Sequence, residues 1–201
     1  MKQALTLTFV LIINLSCAQN SFISRPYYSE DEFYGLLDSL RVLNNHKIEE
    51  AGGLTELASQ IALLHYPKLK RHKIKINYKK NVKYPITASW SFWNVFKPRP
   101  WHTYVLLIHP DSFVERISLN KRVALIAHEM AHFEYYRKIP SIAMLWWGLK
   151  YTLSDKFRYR FEREADFTVV DKGLGQQMLD MSIYTSKWEI KDHIQKANET
   201  D

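Results

Sequence analysis

The chain has 201 residues, of which 46% are hydrophobic and 14% aromatic, and its formal net charge is +7. This length and composition suffice for one folded domain with a hydrophobic core, and they exclude an intrinsically disordered chain. The positive charge favours contact with anionic surfaces but does not determine the fold.

The first residues are typical of a secretory signal. Lys2 precedes an apolar run over residues 4–15, and Ser16-Cys17-Ala18 places small residues before a cleavage site at Gln19. We predict that residues 1–18 are a signal peptide and that residues 19–201 form the mature domain, which is periplasmic or secreted. An uncleaved anchor and lipid attachment at Cys17 are the alternatives. Cleavage removes the only cysteine, which excludes disulfide bonds and cysteine metal ligands in the mature domain.

Helical and strand periodicities alternate through the first 110 residues. Ser29 and Glu32 have capping-box spacing, and apolar residues follow at helical intervals to Leu43. A second helix is predicted over residues 54–64. Alternation over residues 73–79 predicts a half-buried strand with a lysine-rich outer face. Residues 86–96 are a second strand candidate, and the apolar run over residues 103–109 predicts a strand covered on both faces.

The second half of the chain is predicted to be helical. Asn120 is a reasonable N-cap for a helix that continues to about residue 137. Further helices are predicted over residues 154–172 and about 175–186, followed by a frayed polar tail. The apolar segment 139–151 is shorter than the ~20 residues that a membrane span requires. It is a core helix, a flap over a site or a membrane-surface helix, with core or flap favoured. This order of elements predicts an α+β fold.

Residues 127–132 read AHEMAH, within a segment that is apolar nearly all round. At 100° per residue, His128 and His132 lie about 40° apart on one helical face, which is the spacing that zinc needs from two imidazoles. Glu129 points about 100° from His128, where its carboxylate can reach a water molecule but cannot easily bind the same ion. Two core histidines satisfied by hydrogen bonds are the structural alternative.

Residues 161–167, FEREADF, supply candidate partners for these histidines. On a helix, Glu162 and Asp166 share one face, whereas Glu164 points about 200° away and is predicted to form an exposed ion pair with Arg160. A buried Glu162 carboxylate needs a partner, and zinc is one. Asp166 can accept the second ring N–H of a ligating histidine. The alternative is that both carboxylates pair with arginines of the same segment, Arg158 or Arg163.

Together, HEMAH and EREAD resemble the HExxH and ExxxD motifs of gluzincin metallopeptidases, most closely the type comprising the CAAX prenyl proteases and the heat-shock membrane protease HtpX. The resemblance covers about residues 85–175. It implies a zincin-like single domain in which a small sheet packs against an active-site helix and a glutamate-bearing helix. It also implies zinc ligation by His128, His132 and Glu162, a general base at Glu129, and support of His128 by Asp166. The long membrane spans of that type are missing from residues 19–201, so intramembrane and prenyl-protein cleavage are not carried over.

We therefore predict a zinc metalloendopeptidase, with Zn²⁺ as cofactor and a peptide or protein as substrate. In the predicted mechanism a zinc-activated water hydrolyses the peptide bond, with Glu129 as the general base. The oxyanion donor is expected among four side chains: Tyr135, Tyr159, His102 and His109. By the resemblance, the substrate pairs as a strand with residues 87–92: Thr87, Ala88, Ser89, Trp90, Ser91 and Phe92.

A non-catalytic, envelope-associated binding protein with a structural or absent metal is the alternative. It would use the apolar segment 140–151 and the segment 67–83, which has eight Lys or Arg residues and no acid. We expect this basic segment to be a solvated strand face, and contact with an anionic membrane or envelope surface is the other interpretation. Nucleic acid is not expected as a partner of an exported protein.

Overall fold

The computed structural model describes residue 25, residues 27–45, residue 48 and residues 52–198. For residues 188–198 it describes the backbone only. The predicted signal peptide, with Cys17, lies outside the described residues. The described residues form an α+β fold that combines a series of helices with a three-stranded sheet. Within these ranges, no helix is both long enough and apolar enough to cross a membrane.

The N-terminal helical segment is divided in two, α1 (Glu30–Tyr34) and α2 (Leu37–Leu43). Ser29 is the N-cap residue of α1, but its side chain makes no capping hydrogen bond. The predicted capping box is therefore wrong, because the Glu32 carboxylate pairs with Arg25 instead. The next helix, α3 (Gly53–Leu64), begins and ends close to the predicted bounds, and its side chains from 55 to 64 are all buried.

The sheet consists of β1 (Lys73–Tyr78), β2 (Ile86–Trp90) and β3 (Thr103–Ile108) in the order β1-β3-β2. The central strand β3 is parallel to β1 and antiparallel to β2. Fully buried and partly buried side chains alternate along β3, so the prediction of complete cover on both faces is wrong for one face. In β1, only Ile74 is fully buried.

The predicted strand over residues 86–96 ends at Trp90, and a 3-10 turn follows over Phe92–Phe96. The reason is the buried side chain of Asn94. Its amide donates to the Thr103 carbonyl at 2.8 Å and its oxygen accepts from the Thr103 N–H at 3.0 Å. These two bonds tie the turn to the first residue of β3, so β2 cannot continue as a strand.

The helices after the sheet are α4 (Leu119–Tyr136), α5 (Ser141–Leu153), α6 (Asp155–Val169) and α7 (Gly175–Asn198). The N-cap of α4 is Ser118, not Asn120, because Asn120 is buried in the first turn and donates to Asp180 at 2.9 Å. The cap of α6 is Ser154, which accepts from the Phe157 N–H. Gly173, at φ 84°, breaks the helical path between α6 and α7, and α7 extends past the predicted end at residue 186.

Aromatic and polar contacts fix α4 within the core. The Phe133 ring stacks on Tyr104 of β3, with centroids 4.9 Å apart and planes at 20°. Tyr66 follows α3, and its hydroxyl donates to the Ala127 carbonyl at 2.8 Å. The helix packs on α3, α6, α7 and β2. As a result, the segment that carries AHEMAH is held from several sides, and its polar face points towards α6.

Candidate metal centre

Three side chains from α4 and α6 converge on one point. His128 and His132 lie one turn apart on α4, and Glu162 faces them from α6. Each offers one ligand atom, and the three atoms lie within 4.8 Å of one another. The arrangement brings together residues 30 positions apart in the chain, as the sequence predicts for the two motifs.

The spacing of the three atoms fits a tetrahedral metal ion. The His128 Nε2 atom is 2.9 Å from Glu162 Oε2 and 3.2 Å from His132 Nε2, and the distance from His132 Nε2 to Glu162 Oε2 is 3.3 Å. Two ligands bound at about 2.0–2.1 Å in tetrahedral geometry lie about 3.3 Å apart. The three donors therefore need little movement to hold an ion of the size of Zn²⁺.

Asp166 holds the outer nitrogen of His128. Its Oδ1 atom lies 2.8 Å from His128 Nδ1, so the remaining ring nitrogen, Nε2, faces the other two donors. Burial alone would lower the pKa of His128, but the hydrogen bonds to Asp166 and Glu162 outweigh it and raise this pKa to about 10. The carboxylates therefore favour a positive charge at the centre of the cluster.

His132 is oriented by ring contacts. Its imidazole stacks on Phe161 of α6, with centroids 4.5 Å apart and planes at 29°. Tyr136, one turn further along α4, lies nearly parallel to the imidazole at 6.3 Å, and its ring centroid is also 6.3 Å from that of Phe161. The Nδ1 atom of His132 has no hydrogen-bond partner among the described residues. Two aromatic rings thus fix the plane of His132, whereas a carboxylate fixes His128.

Glu162 is held by a tyrosine that the sequence analysis did not identify. The Tyr151 hydroxyl, on α5, donates to Glu162 Oε1 at 2.6 Å, which leaves Oε2 directed at the histidines. Burial raises the pKa of the Glu162 carboxyl, but its hydrogen bonds with His128 and His132 outweigh burial and lower this pKa well below its ordinary value. Burial and the bond to Glu162 raise the pKa of Tyr151. Glu162 is therefore ionised and Tyr151 protonated, as ligation by one oxygen requires.

Glu129 links the histidine helix to the free edge of the sheet. Its Oε2 atom accepts a hydrogen bond from the Ala88 N–H at 2.5 Å. The His109 N–H donates to the Pro85 carbonyl, so residues 85, 87 and 89 face β3. By the alternation of an antiparallel pair, the backbone groups of residues 86, 88 and 90 face the open edge. Glu129 thus lies between the edge of β2 and the histidines.

A cavity of about 920 Å³ connects these groups. Its walls come from β2, α4, α5, α6 and α7, and include Glu129, His128, His132, Glu162 and Asp166. On the β2 side it is lined by Ile86, Thr87 and Ala88, and on the α5 side by Met144, Trp147, Gly148 and Tyr151. This volume is in the range of ligand pockets, and it suffices for several side chains of a peptide.

The remaining predicted site residues are the candidate oxyanion donors and the substrate strand, and each set is only partly at the cavity or in β2. Of the four candidate oxyanion donors, only Tyr159 lines the cavity. The Tyr135 ring packs on Trp147 and Phe161, His102 faces the Lys97 carbonyl, and His109 Nδ1 accepts from the Asp111 N–H. Of the predicted substrate strand, Thr87, Ala88, Ser89 and Trp90 belong to β2, whereas Ser91 and Phe92 lie beyond its end. The exposed Arg160–Glu164 ion pair is confirmed, at 3.7 Å.

Tyr136 and Tyr151, which line the cavity, were not predicted from the sequence, for different reasons. Tyr136 follows His132 by four residues, so helical spacing alone could have placed it on the ligand face. Tyr151 could not have been found this way, because it belongs to another helix and its position depends on how α5 packs on α6. The sequence of residues 139–151 indicates only that this segment is apolar.

Comparison with known proteins reveals no relative: no protein-family model matches the chain, and no curated protein and no solved structure matches it. The function therefore has to be inferred from the geometry of the site itself.

Proposed function

We propose that this protein is a zinc-dependent endopeptidase with a zincin-like fold of the gluzincin type, acting in an exported compartment. The observation that carries the proposal is the convergence of His128, His132 and Glu162, with Glu129 beside them at the free edge of β2. Export is inferred from the signal-like residues 1–18 alone.

The donor set favours zinc over other divalent ions. Two imidazole nitrogens and one carboxylate oxygen at tetrahedral spacing are typical of catalytic zinc sites, which keep a further position for water or substrate. Calcium and magnesium require more oxygen ligands. A bound zinc ion would supply Lewis acidity, polarising a water molecule and the substrate carbonyl.

The roles of the protein groups follow from their positions. The Glu129 carboxylate, which lines the same cavity as the histidines, would accept a proton from the attacking water and return it to the leaving amine. Asp166 holds His128, and Tyr151 holds Glu162, so that both ligands keep their orientation. Tyr159 and Tyr136, which line the cavity, are the candidates for stabilising the developing oxyanion.

The free edge of β2 supports an extended peptide substrate. Residues 86, 88 and 90 direct backbone N–H and C=O groups away from β3, and a peptide strand that pairs with them would take the Ala88 N–H from the Glu129 carboxylate. Because Glu129 accepts from the Ala88 N–H, a peptide paired there would lie beside the proposed general base. The edge therefore supports a substrate bound in extended conformation next to Glu129.

The experiment is metal analysis combined with a peptide-library digest. We expect about one zinc per chain in the wild type, strongly reduced zinc in Glu162→Ala, and retained zinc with proteolysis lowered by about 10²–10⁴-fold in Glu129→Gln. Full proteolysis by Glu129→Gln would overturn the mechanism. No bound zinc and no thermal shift on adding zinc would instead favour the non-catalytic, envelope-associated binding protein.

A further inference from the structure

Helix α5 has two apolar faces, and only one of them is covered. Met144, Trp147, Gly148 and Tyr151 line the cavity on its inner side. At 100° per residue, five large apolar side chains fall within about 100° of one another on the opposite side. They are exposed by 47–78%: Ile142, Leu145, Trp146, Leu149 and Leu153. None of the residues of α5 is fully buried, so the helix is not the core helix that the sequence favoured as one interpretation.

A second exposed cluster lies on an element that contacts α5. The 3-10 turn Phe92–Phe96 packs against α5. Its aromatic residues Phe92, Trp93 and Phe96 are 59%, 67% and 72% exposed, and their ring centroids lie 6.2–6.4 Å apart. We call these three residues and the five exposed residues of α5 the apolar patch. Together the two clusters present on the order of 1,000 Å² to solvent, whereas a monomer usually exposes a few hundred in one patch.

The charges on the two segments that carry the apolar patch have one sign. Between Glu56 and Asp111 the sequence has no acidic residue, and it has none between Glu134 and Asp155. These two intervals contain the whole patch. Lys97 and Arg99 follow the aromatic cluster, and Lys150 lies beside the Trp146 ring, with its Nζ atom 5.6 Å from the centroid. The patch is therefore bordered by cations on the same two segments.

We propose that the apolar patch docks on the surface of an anionic phospholipid bilayer. A helix of 13 residues is about 20 Å long, too short to cross the ~30 Å hydrocarbon core, so it would lie in the interface. Tryptophan and phenylalanine are favoured at that depth, and lysine and arginine attract anionic headgroups. The two segments that carry the patch contain cations and no carboxylate, and this charge favours an anionic surface over a partner of no particular charge.

This docking would set the position of the metal centre relative to the membrane. The inner face of α5 lines the cavity and its outer face would lie on lipid, so the bilayer would be one helix diameter from the ligands. If the proposed peptidase function holds, its substrates are protein segments close to the membrane surface. The docking itself is independent of that function, and its test needs no enzymatic activity.

The test uses quenching of tryptophan fluorescence by vesicles of bromine-labelled phosphatidylcholine and phosphatidylglycerol. Residues 1–24 contain no tryptophan, so the signal does not report insertion of the predicted signal segment. The full-length chain is used in a Trp188→Phe background, which leaves five tryptophans between residues 90 and 147. We expect strong quenching with phosphatidylglycerol present, and at least several-fold less with phosphatidylcholine alone or in 0.5 M salt.

Two matched variants locate the contact. Phe96→Ser/Leu145→Ser keeps every tryptophan of the background and should reduce quenching several-fold. Val42→Ser/Leu179→Ser removes two side chains of similar exposure, 55% and 52%, from α2 and α7 and should be quenched like the background. If the first variant fails to fold by circular dichroism, Lys97→Glu/Lys150→Glu replaces it, with the same expected loss on anionic vesicles.

Three results would overturn the proposal. The first is no quenching of the background protein by anionic vesicles. The second is equal quenching of the patch variant and the control variant. The third is a dimer in solution that the patch variant dissociates, without quenching by lipid, which would make a second copy of the chain the occupant of the patch.

Discussion

At the scale of single residues, Asp166 determines which nitrogen of His128 faces the metal position. Its Oδ1 atom lies 2.8 Å from Nδ1, and its charge makes the imidazole a better ligand. We expect Asp166→Asn to weaken zinc binding by about 10–100-fold, as loss of such a partner does in other metal sites. Competition with a fluorescent zinc chelator measures the change.

Glu164 provides the matched control for Asp166. It lies on the same helix, points outward and pairs with Arg160 at 3.7 Å, with more than half of its side chain exposed. Glu164→Gln removes the same charge two residues away and should leave zinc affinity unchanged within about twofold, because an exposed ion pair contributes little. Equal affinities for the Asp166 and Glu164 variants would exclude a special role for Asp166.

The Tyr151 hydroxyl has a comparable role towards Glu162. It donates to Oε1 at 2.6 Å, and a hydrogen bond to a charged group contributes about 1.5–3 kcal/mol when buried. Because the Glu162 side chain is 37% exposed, we take the lower end and expect Tyr151→Phe to weaken zinc binding by about tenfold. Titration with zinc, followed by calorimetry, gives the affinity.

A second tyrosine separates this effect from general loss of aromatic packing. Tyr135 packs on Trp147 and Phe161, as part of the same aromatic cluster, but it does not contact Glu162. Tyr135→Phe should bind zinc like the wild type. If both substitutions reduce the affinity equally, the hydrogen bond from Tyr151 is not what positions the ligand.

At the scale of elements, the stacking of Phe133 on Tyr104 holds α4 against the sheet. Both rings are fully buried, and the Phe133 side chain has no polar atom, so its truncation removes only apolar contacts. We expect Phe133→Ala to lower the free energy of unfolding by about 3–5 kcal/mol, because it leaves a cavity between α4 and β3. Urea unfolding followed by circular dichroism measures the loss.

Two further variants test whether volume accounts for that loss. Phe133→Leu keeps most of the volume and should cost less than about half as much as the alanine variant. Val42→Ala, at an exposed position of α2, should change the free energy of unfolding by no more than about 0.5 kcal/mol. A Phe133→Ala variant as stable as Val42→Ala would mean that α4 does not depend on this contact.

Some elements could be predicted from the sequence and others could not, for physical reasons. Helices α3, α4 and α6 were predicted close to their observed bounds because long apolar periodicities and end signals such as Gly173 are local. The N-cap at Asn120 and the strand over residues 86–96 were mispredicted because Asn120 bonds to Asp180, 60 residues away, and Asn94 bonds to Thr103 across a turn of nine residues. Local propensity contains no information on such partners.

The same distinction applies to the candidate site. His128, His132, Glu162 and Asp166 were placed together by helical spacing and by the resemblance of two short motifs, and these four side chains do meet. Tyr151 and the Ala88 N–H come from α5 and β2, whose packing against the site depends on tertiary contacts. Helical periodicity could predict the two faces of α5 but not that one of them would remain uncovered.

At the scale of the whole molecule, the candidate metal centre joins a well-buried helix to a poorly buried one. Helix α4 packs into the core, with 13 of its side chains buried. Helix α6 buries only Phe161, Ala165 and Val169, and it contacts α4 through the Phe161 ring as well as through the polar cluster. A bound cation would therefore act as a cross-link between the core and the outer layer of helices.

This arrangement predicts a thermal shift on adding zinc. A ligand that binds only the folded state at about 100 times its dissociation constant adds about 2.7 kcal/mol to the free energy of unfolding. For a domain of this size, that corresponds to a rise in Tm of roughly 5–10 °C. Differential scanning calorimetry of the metal-free protein, with and without zinc, measures the shift.

Variants at two glutamates of α6 show whether the shift arises at this site. Glu162→Ala removes one ligand and should lose most of the zinc-induced rise, whereas Glu164→Ala removes an outward glutamate of the same helix and should keep it. A shift of equal size in both variants would place zinc elsewhere on the protein.

Since the cross-link acts between α4 and α6, zinc should also slow hydrogen exchange of the α6 backbone more than that of α4, which the core already protects.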